Sequence, residues 1–166
     1  RYKSHILFFR GIEEEILHRV QGTVIILEDD IAIRLVDSWN EGEIANLYRA
    51  GGWWKEEYDL KEIPRLIRGS FLFAVAVNSH TGQAVGMGRV ISDGVSDGYI
   101  QDLVVLPQYR KTGIGARIVS ILVKKCIESK ISWIGLIAEP NTEKFYLPFG
   151  FHPMKGHVPL KFRSDT

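Results

Sequence analysis

Apolar and polar positions along the chain recur with two different periods, and the alternation between them lays out the elements. Phe71–Val77 and Ile131–Ala138 are the longest apolar runs, and each is bounded by turn formers, so both are read as buried strands. Asn78-Ser-His-Thr-Gly82 predicts a turn, with Ala84–Ile91 as the returning strand. Asp93, Gly94, Asp97 and Gly98 mark the next turn within Ser92–Gly98. Tyr99–Leu106 follows as a strand whose second half is almost wholly apolar, as a central strand covered on both faces should be. Ile31–Val36 alternates less cleanly but still reads as a strand.

The helical period appears in between. Ile114, Ile118, Ile121, Leu122 and Cys126 give Ile114–Glu128 one apolar stripe. Asn40 or Ser38 can cap a helix running to about Tyr48, with Ile44, Leu47 and Tyr48 on one face, before Gly51-Gly52 breaks it. A second helix is expected over Asp59–Ile67, where Pro64 either bends it or opens a new first turn. Asn141–Leu147 is a short late helix stopped before Pro148, and Phe151–Phe162 is expected to close the chain as one or two strands. Ahead of this core, His5–Phe9 and Gly22–Leu27 read as strands flanking a short helix at Glu13–Val20. An antiparallel meander followed by a β-α-β crossover predicts an α/β (α+β) mixed sheet, not a doubly wound dinucleotide fold.

Composition narrows the partners. The 166 residues suit one domain, here divided into an N-terminal extension (1–30) and a core (31–162). A formal net charge of +1 gives no general attraction to nucleic acid or to a membrane surface. No run approaches the about 20 apolar residues of a membrane span, and the first residues show no signal-peptide apolar core. The lone cysteine, Cys126, allows no internal disulfide and fits a reducing, cytoplasmic setting. His152 and His157 have no cysteine or glutamate at ligand spacing and read as ordinary polar positions, so no metal is expected.

The chemistry-bearing stretch is Gln101-Asp-Leu-Val-Val-Leu-Pro-Gln-Tyr-Arg-Lys-Thr-Gly-Ile-Gly-Ala116: strand, short basic loop with two glycines, helix. Glycines let backbone N–H groups approach a diphosphate, and the positive end of the following helix points at the same spot. Arg110 and Lys111 add mobile positive charge. The stretch lacks the Gly-Lys-Ser/Thr ending of a P-loop, and Ile118 stands where a dinucleotide fingerprint has its third glycine.

Strand, Leu-Pro, Arg-x-x-Gly-x-Gly and amphipathic helix together resemble the signature segment of the GNAT superfamily of acetyl-CoA-dependent N-acetyltransferases. By order of elements the resemblance extends over Ile31–Phe162, with its specific motifs between Tyr99 and Phe151. It implies a mostly antiparallel central sheet flanked by helices. It also implies that Arg110, Lys111, Thr112, Gly113, Ile114 and Gly115 cradle the pyrophosphate of coenzyme A. Leu103, Val104 and Val105 would bind the pantetheine arm and acetyl carbonyl where the strand splays from Ile131–Ala138, although no glycine or proline marks a bulge there. Asn141 is assigned to the cofactor as well. Phe145-Tyr146-Leu-Pro-Phe-Gly-Phe151 resembles the family's late Phe-Tyr-x-x-x-Gly-Phe pattern, with Tyr146 at the position that protonates the leaving thiolate. Leu147-Pro148 departs from the charged residues common there and should end the helix early.

Acetyl transfer needs a neutral amine, and a primary alkylamine has a pKa of about 10.4, so at neutral pH a base or water relay must remove a proton. Asp102 is the leading candidate for base or ammonium anchor, with Glu139 behind it. Strand alternation puts Asp102 on the face of Val104, opposite Gln101 and Leu103, unless a bulge re-aims it. Trp53, Trp54 and Tyr58 lie in the segment that walls the acceptor side in the family, and could hold a cationic amine by cation–π contact. Asp93 and Asp97 read as turn residues. The leading expectation is transfer of acetyl from acetyl-CoA to a primary amine of a small molecule, by direct attack through a tetrahedral intermediate. The alternatives are a non-catalytic acyl-CoA-binding or sensory module, and an acetyltransferase for protein lysines or N-termini. Residues 1–30 could extend the sheet, cover the acceptor side or form a homodimer contact.

Overall fold

The computed structural model describes residues 30–162, so the elements expected at His5–Phe9, Glu13–Val20 and Gly22–Leu27 lie outside the described residues. Among the described residues five strands form one sheet in chain order: β1 (Ile31–Leu35), β2 (Leu72–Asn78), β3 (Ala84–Ser92), β4 (Asp97–Val105) and β5 (Trp133–Leu136). The first four pair antiparallel, while β4 and β5 run parallel across α3 (Ile114–Glu128). Helices α1 (Glu41–Ala50) and α2 (Ile63–Arg68) pack on the opposite face, and α4 (Glu143–Tyr146) follows β5. The mixed, mostly antiparallel α/β expectation therefore holds.

Side-chain size on β2 decides which helix sits where. Ala74 and Ala76 point to α3, and Phe73, Val75 and Val77 point to α1 and α2. The small residues let α3 lie close against the sheet, and Gly86 and Gly88 of β3 continue the strip. A Cβ on Gly88 would stand 2.9 Å from Cγ2 of Ile118. Against this floor α3 buries Ile114, Ile118, Val119, Leu122 and Cys126. Each large apolar side chain so buried contributes roughly 1.5–3 kcal/mol. On the other face α1 buries Ile44, Ala45, Leu47 and Tyr48. Asn40 supplies its N-cap, accepting from the Glu43 N–H at 3.0 Å. Glu43 in turn accepts from Trp39 Nε1 and from the Ala84 N–H, which ties the start of α1 to β3.

Three expectations change. The helix expected over Asp59–Ile67 is a 3-10 turn at Leu60–Glu62 followed by α2, with Pro64 in the first turn of α2. The strand expected over Ile131–Ala138 shortens to β5, because Ile131 still bonds to the end of α3 and residues beyond Leu136 leave the sheet. The closing strands expected in Phe151–Phe162 do not form. Pro153 and Pro159 remove ladder donors and Gly156 turns the chain at φ 78°, leaving Val158, Leu160 and Phe162 exposed. Gly88→Ala is expected to lower the unfolding free energy by about 1–3 kcal/mol through overpacking against Ile118, measurable by chemical denaturation.

Candidate active site

The site grows out of a slip in register between β3 and β4. Met87 pairs with Val104 but Arg89 pairs with Gln101, so Gly88 faces two residues, Asp102 and Leu103. Asp102 takes up the extra length with φ 55°, a left-handed conformation that aspartate tolerates better than most residues yet still costs about 1–2 kcal/mol. This is the bulge, and an aspartate makes it where a glycine or proline would have been the readable signal. It also corrects the simple alternation expected along β4. Asp102 does share a face with Val104, and Leu103 points to α3, but Gln101 lies on the same side as Asp102. Both reach one guanidinium: Arg89 donates from Nε to Asp102 Oδ2 at 2.5 Å and from its terminal nitrogen to Gln101 Oε1 at 3.0 Å.

Tyr48, from α1, donates its hydroxyl to the same Asp102 oxygen at 2.7 Å. Burial, then the Asp102 carboxylate, push the Tyr48 phenol far above its ordinary value, so it stays a donor. One carboxylate oxygen of Asp102 is therefore held by two donors, which disfavours the role of free base. Neither Tyr48, Arg89 nor Gln101 stands out in the sequence, because each is far from Asp102 along the chain or hidden in the strand pattern.

Beyond the bulge β4 parts from its parallel neighbour. Pairing with β5 ends at Ile100–Leu136, while β4 continues to Val105. The Leu106 N–H donates to Val85 in β3, so the alternating groups of Leu103 and Val105 face the opened side. Val104 faces the other way and its side chain belongs to the core. The result is a wedge lined by strand backbone, opened where β4 and β5 diverge.

At the mouth of the wedge lies the glycine loop. Lys111 (φ 64°) and Gly113 (φ 82°) are left-handed, and Gly113 opens α3 with no side-chain cap, so the first N–H groups of that helix face outward. A Cβ on Gly113 would meet nothing within 4 Å, so the space above it is open. Ile114 is buried, so only its backbone can serve a ligand. Thr112 donates its hydroxyl to the Tyr109 carbonyl and stiffens the turn. Gly115 faces the ring of Phe145, which brings α4 beside the loop. Arg110 departs from the expectation of mobile charge: its guanidinium donates to the carbonyls of Val105 and Ala50 at 2.9 and 3.2 Å, strapping the end of β4 to the end of α1.

The late helix matches its expected place. α4 stops at Tyr146 and tightens into a 3-10 turn over Leu147–Phe149, as Pro148 requires. Tyr146 is half-buried between Phe145 and Phe151, and burial, then nearby Glu139, raise its phenol pKa. Glu139 itself is exposed, and Asn141 is exposed in a left-handed turn before α4.

A pocket of about 800 Å³ opens on the α1 and α2 side, with Tyr48, Trp53, Trp54, Tyr58, Arg89 and Asp102 in its lining. The three aromatics expected at the acceptor side thus share one cavity with Asp102. The cation–π expectation needs amendment, because Arg49 lies 5.2 Å over Trp54 and Lys55 lies 5.9 Å over Tyr58. Asp93 accepts from the Val95 N–H at 2.8 Å and is a turn residue, as read.

Comparison with known proteins then decides the family. The model of the acetyltransferase (GNAT) domain matches residues 53–159. The chain belongs to the GNAT acetyltransferase family. Among its relatives is the uncharacterized N-acetyltransferase ycf52 of Porphyra purpurea, 28% identical over 124 residues, covering 74% of this chain and 70% of that protein. A chloroplastic serotonin N-acetyltransferase 2 of Oryza sativa subsp. japonica is 33% identical over 76 residues, covering 46% of this chain and 38% of the other. A probable acetyltransferase of meticillin-resistant Staphylococcus aureus shares the fold, with a TM-score of 0.66 at 21% identity over 80% of this chain and 99% of that one. This GNAT protein is accordingly an acetyltransferase enzyme. None of its described helices is long and apolar enough to cross a membrane.

Two outcomes are expected. Gly113→Val forces a β-branched residue into the left-handed region over the open loop and should weaken coenzyme A binding by at least about tenfold, read by titration calorimetry. The raised Tyr48 pKa stabilises the fold fully below the ordinary phenol value of about 10 and progressively less as pH rises above it. Alkaline unfolding curves should show that loss, and Tyr48→Phe should reduce its slope.

Proposed function

We propose that the enzyme transfers an acetyl group from acetyl-CoA to the primary amine of a small molecule. One observation carries this reading: neighbouring residues of β4 serve two cavities. Asp102 lines the aromatic pocket, and Leu103 and Val105 turn their backbone groups into the wedge. A nucleophile seated in the pocket would meet a thioester seated in the wedge at that point on the strand.

The chain's residues fit coenzyme A in kind. The open Gly113 turn and the uncapped amides at the start of α3 suit a pyrophosphate, and the outward groups of Leu103 and the outward N–H of Val105, whose carbonyl is taken by Arg110, suit the amides of a pantetheine arm. A β4 N–H facing the wedge can donate to the oxyanion of the tetrahedral intermediate. Tyr146, kept protonated by its burial, supplies a proton or a hydrogen bond to the departing thiolate. In our reading Trp53, Trp54 and Tyr58 wall the amine, and water relays its proton away from a floor made by Tyr48, Arg89 and Asp102. The aromatic lining and the neighbouring Asp102 suit a small amine. The rice relative, a serotonin N-acetyltransferase by name, lends the same support. Its chloroplastic description sets a plastid beside the cytoplasm as the compartment in which this chain works.

The test is acetyl-CoA-dependent thiol release across amines, aminoglycosides, amino acids and peptides. Release with one class of small amine supports the proposal. Binding of acetyl-CoA without release over the whole panel would instead mark a sensory module, and release only with peptides a protein acetyltransferase. Tyr146→Phe should lower kcat by about tenfold to a hundredfold with coenzyme A affinity nearly intact, and unchanged turnover would remove Tyr146 from the mechanism.

A further inference from the structure

We propose that Asp102 is a positioning residue: clamped by Arg89 and Tyr48, it holds the β4 bulge and so keeps the cofactor wedge open, and it does not take the proton from the amine. This rests on the reading of the wedge and pocket given above. Three features of the chain meet at this carboxylate. The first is the backbone, left-handed at a non-glycine residue in the middle of a strand. Such a conformation persists when surrounding contacts over-determine it.

The second is the clamp itself. Arg89 sits on β3 directly across from Gln101 and reaches both Gln101 and Asp102. Consecutive side chains of a regular strand point to opposite faces, so a single guanidinium can hold both only when the strand is bulged. The ion pair is well shielded, with side-chain exposures of 16% for Arg89 and 21% for Asp102. Tyr48 adds the third arm from α1, so a helix, a strand and the bulge are locked through one oxygen.

The third is what lies on either side. Before Asp102, β4 pairs with β5; after it, the strand runs on without that partner and turns the groups of Leu103 and Val105 outward. A carboxylate engaged by two donors at one oxygen serves as a strut. The other carboxylates lining the pocket, Glu57, Asp59 and Glu62, come from the α1–α2 connection and are engaged there, Glu57 by Lys55, Glu62 by Arg65 and Asp59 by the Lys61 N–H.

Replacement series at position 102 separate strut from base. Asp102→Asn keeps tolerance of the left-handed region and an acceptor oxygen but cannot act as a base. Asp102→Gly keeps only the backbone freedom, and Asp102→Val removes both. The expected result has Asn within about threefold of the parent in coenzyme A affinity, with the shape of the kcat pH profile preserved. Val should weaken coenzyme A at least about tenfold, with Gly in between. In the ligand-free protein, Arg89→Met and Asp102→Val should speed amide exchange at Leu106, which pairs with β3, by about tenfold while leaving the middle of α3 unchanged. A hundredfold fall in kcat for Asp102→Asn, with the acidic limb of its pH profile altered and coenzyme A affinity intact, would overturn the proposal in favour of a base. So would unchanged exchange in both clamp variants. Failure of the parent protein to bind coenzyme A would sink the proposed function, and the exchange comparison would still decide the role of the clamp.

Discussion

A one-residue slip between β3 and β4 is the constraint on which both cavities of this enzyme depend. Up to Gln101 the two strands pair in one register, and from Val104 onward they pair in another. The excess residue, Asp102, is held by donors from β3 and from α1. Pairing with β5 has ended just before, at Ile100, so the outer backbone groups past the slip have no partner in β5 at the point where a thioester would lie. Because the carboxylate turns toward α1, the same residue becomes part of the floor of the aromatic pocket. Neither cavity would have its present position if the ladder ran straight.

Packing on the two faces of the sheet is correspondingly unequal. The α3 face carries Ala74, Ala76, Gly86 and Gly88 among larger residues such as Val85, Val90 and Ile100, so the helix packs close at the glycines and its N-terminal amides arrive at the end of β4. The α1 face carries Phe73, Val75, Val77 and Met87, and a pocket opens between α1, α2 and the sheet. Arg110 spans the difference by bonding to carbonyls at the ends of both β4 and α1. Its charge is thereby used within the chain, so that in the proposed function the loop would meet a pyrophosphate with backbone N–H groups and Lys111. Backbone donors are fixed in direction, and a loop stiffened by Thr112 and two left-handed residues presents them without much entropy to lose.

Protonation is arranged by the same economy of contacts. Tyr48 and Tyr146 are both held in the neutral form, mainly by burial, but with different surroundings. Tyr48 spends its proton on Asp102 and is structural. Tyr146 packs edge-on against Phe145 and Phe151, next to the glycine loop through the contact of Phe145 with Gly115. In the proposed mechanism this neutral phenol offers its O–H as a hydrogen bond to the departing thiolate; a thiol's ordinary pKa, about 8.5, lies below that of the phenol, so the thiolate need not take the proton outright.

Much of this was written in local sequence. The apolar runs of β2 and β3, the stripe of α3, the Asn40 cap and the Arg-x-x-Gly-x-Gly loop depend on neighbours within a few residues, so periodicity and turn chemistry suffice to locate them. The late Phe-Tyr segment likewise placed Tyr146 on a short helix stopped by Pro148. What tertiary structure alone decided was every relation between distant segments. Arg89 and Asp102 lie thirteen positions apart and Tyr48 and Asp102 fifty-four, and no local rule brings them together. The strand expected at Phe151–Phe162 failed for the complementary reason. Strand propensity describes a residue's fit to a pleated surface, but a strand exists only where another strand offers its hydrogen bonds, and the described sheet ends at β5.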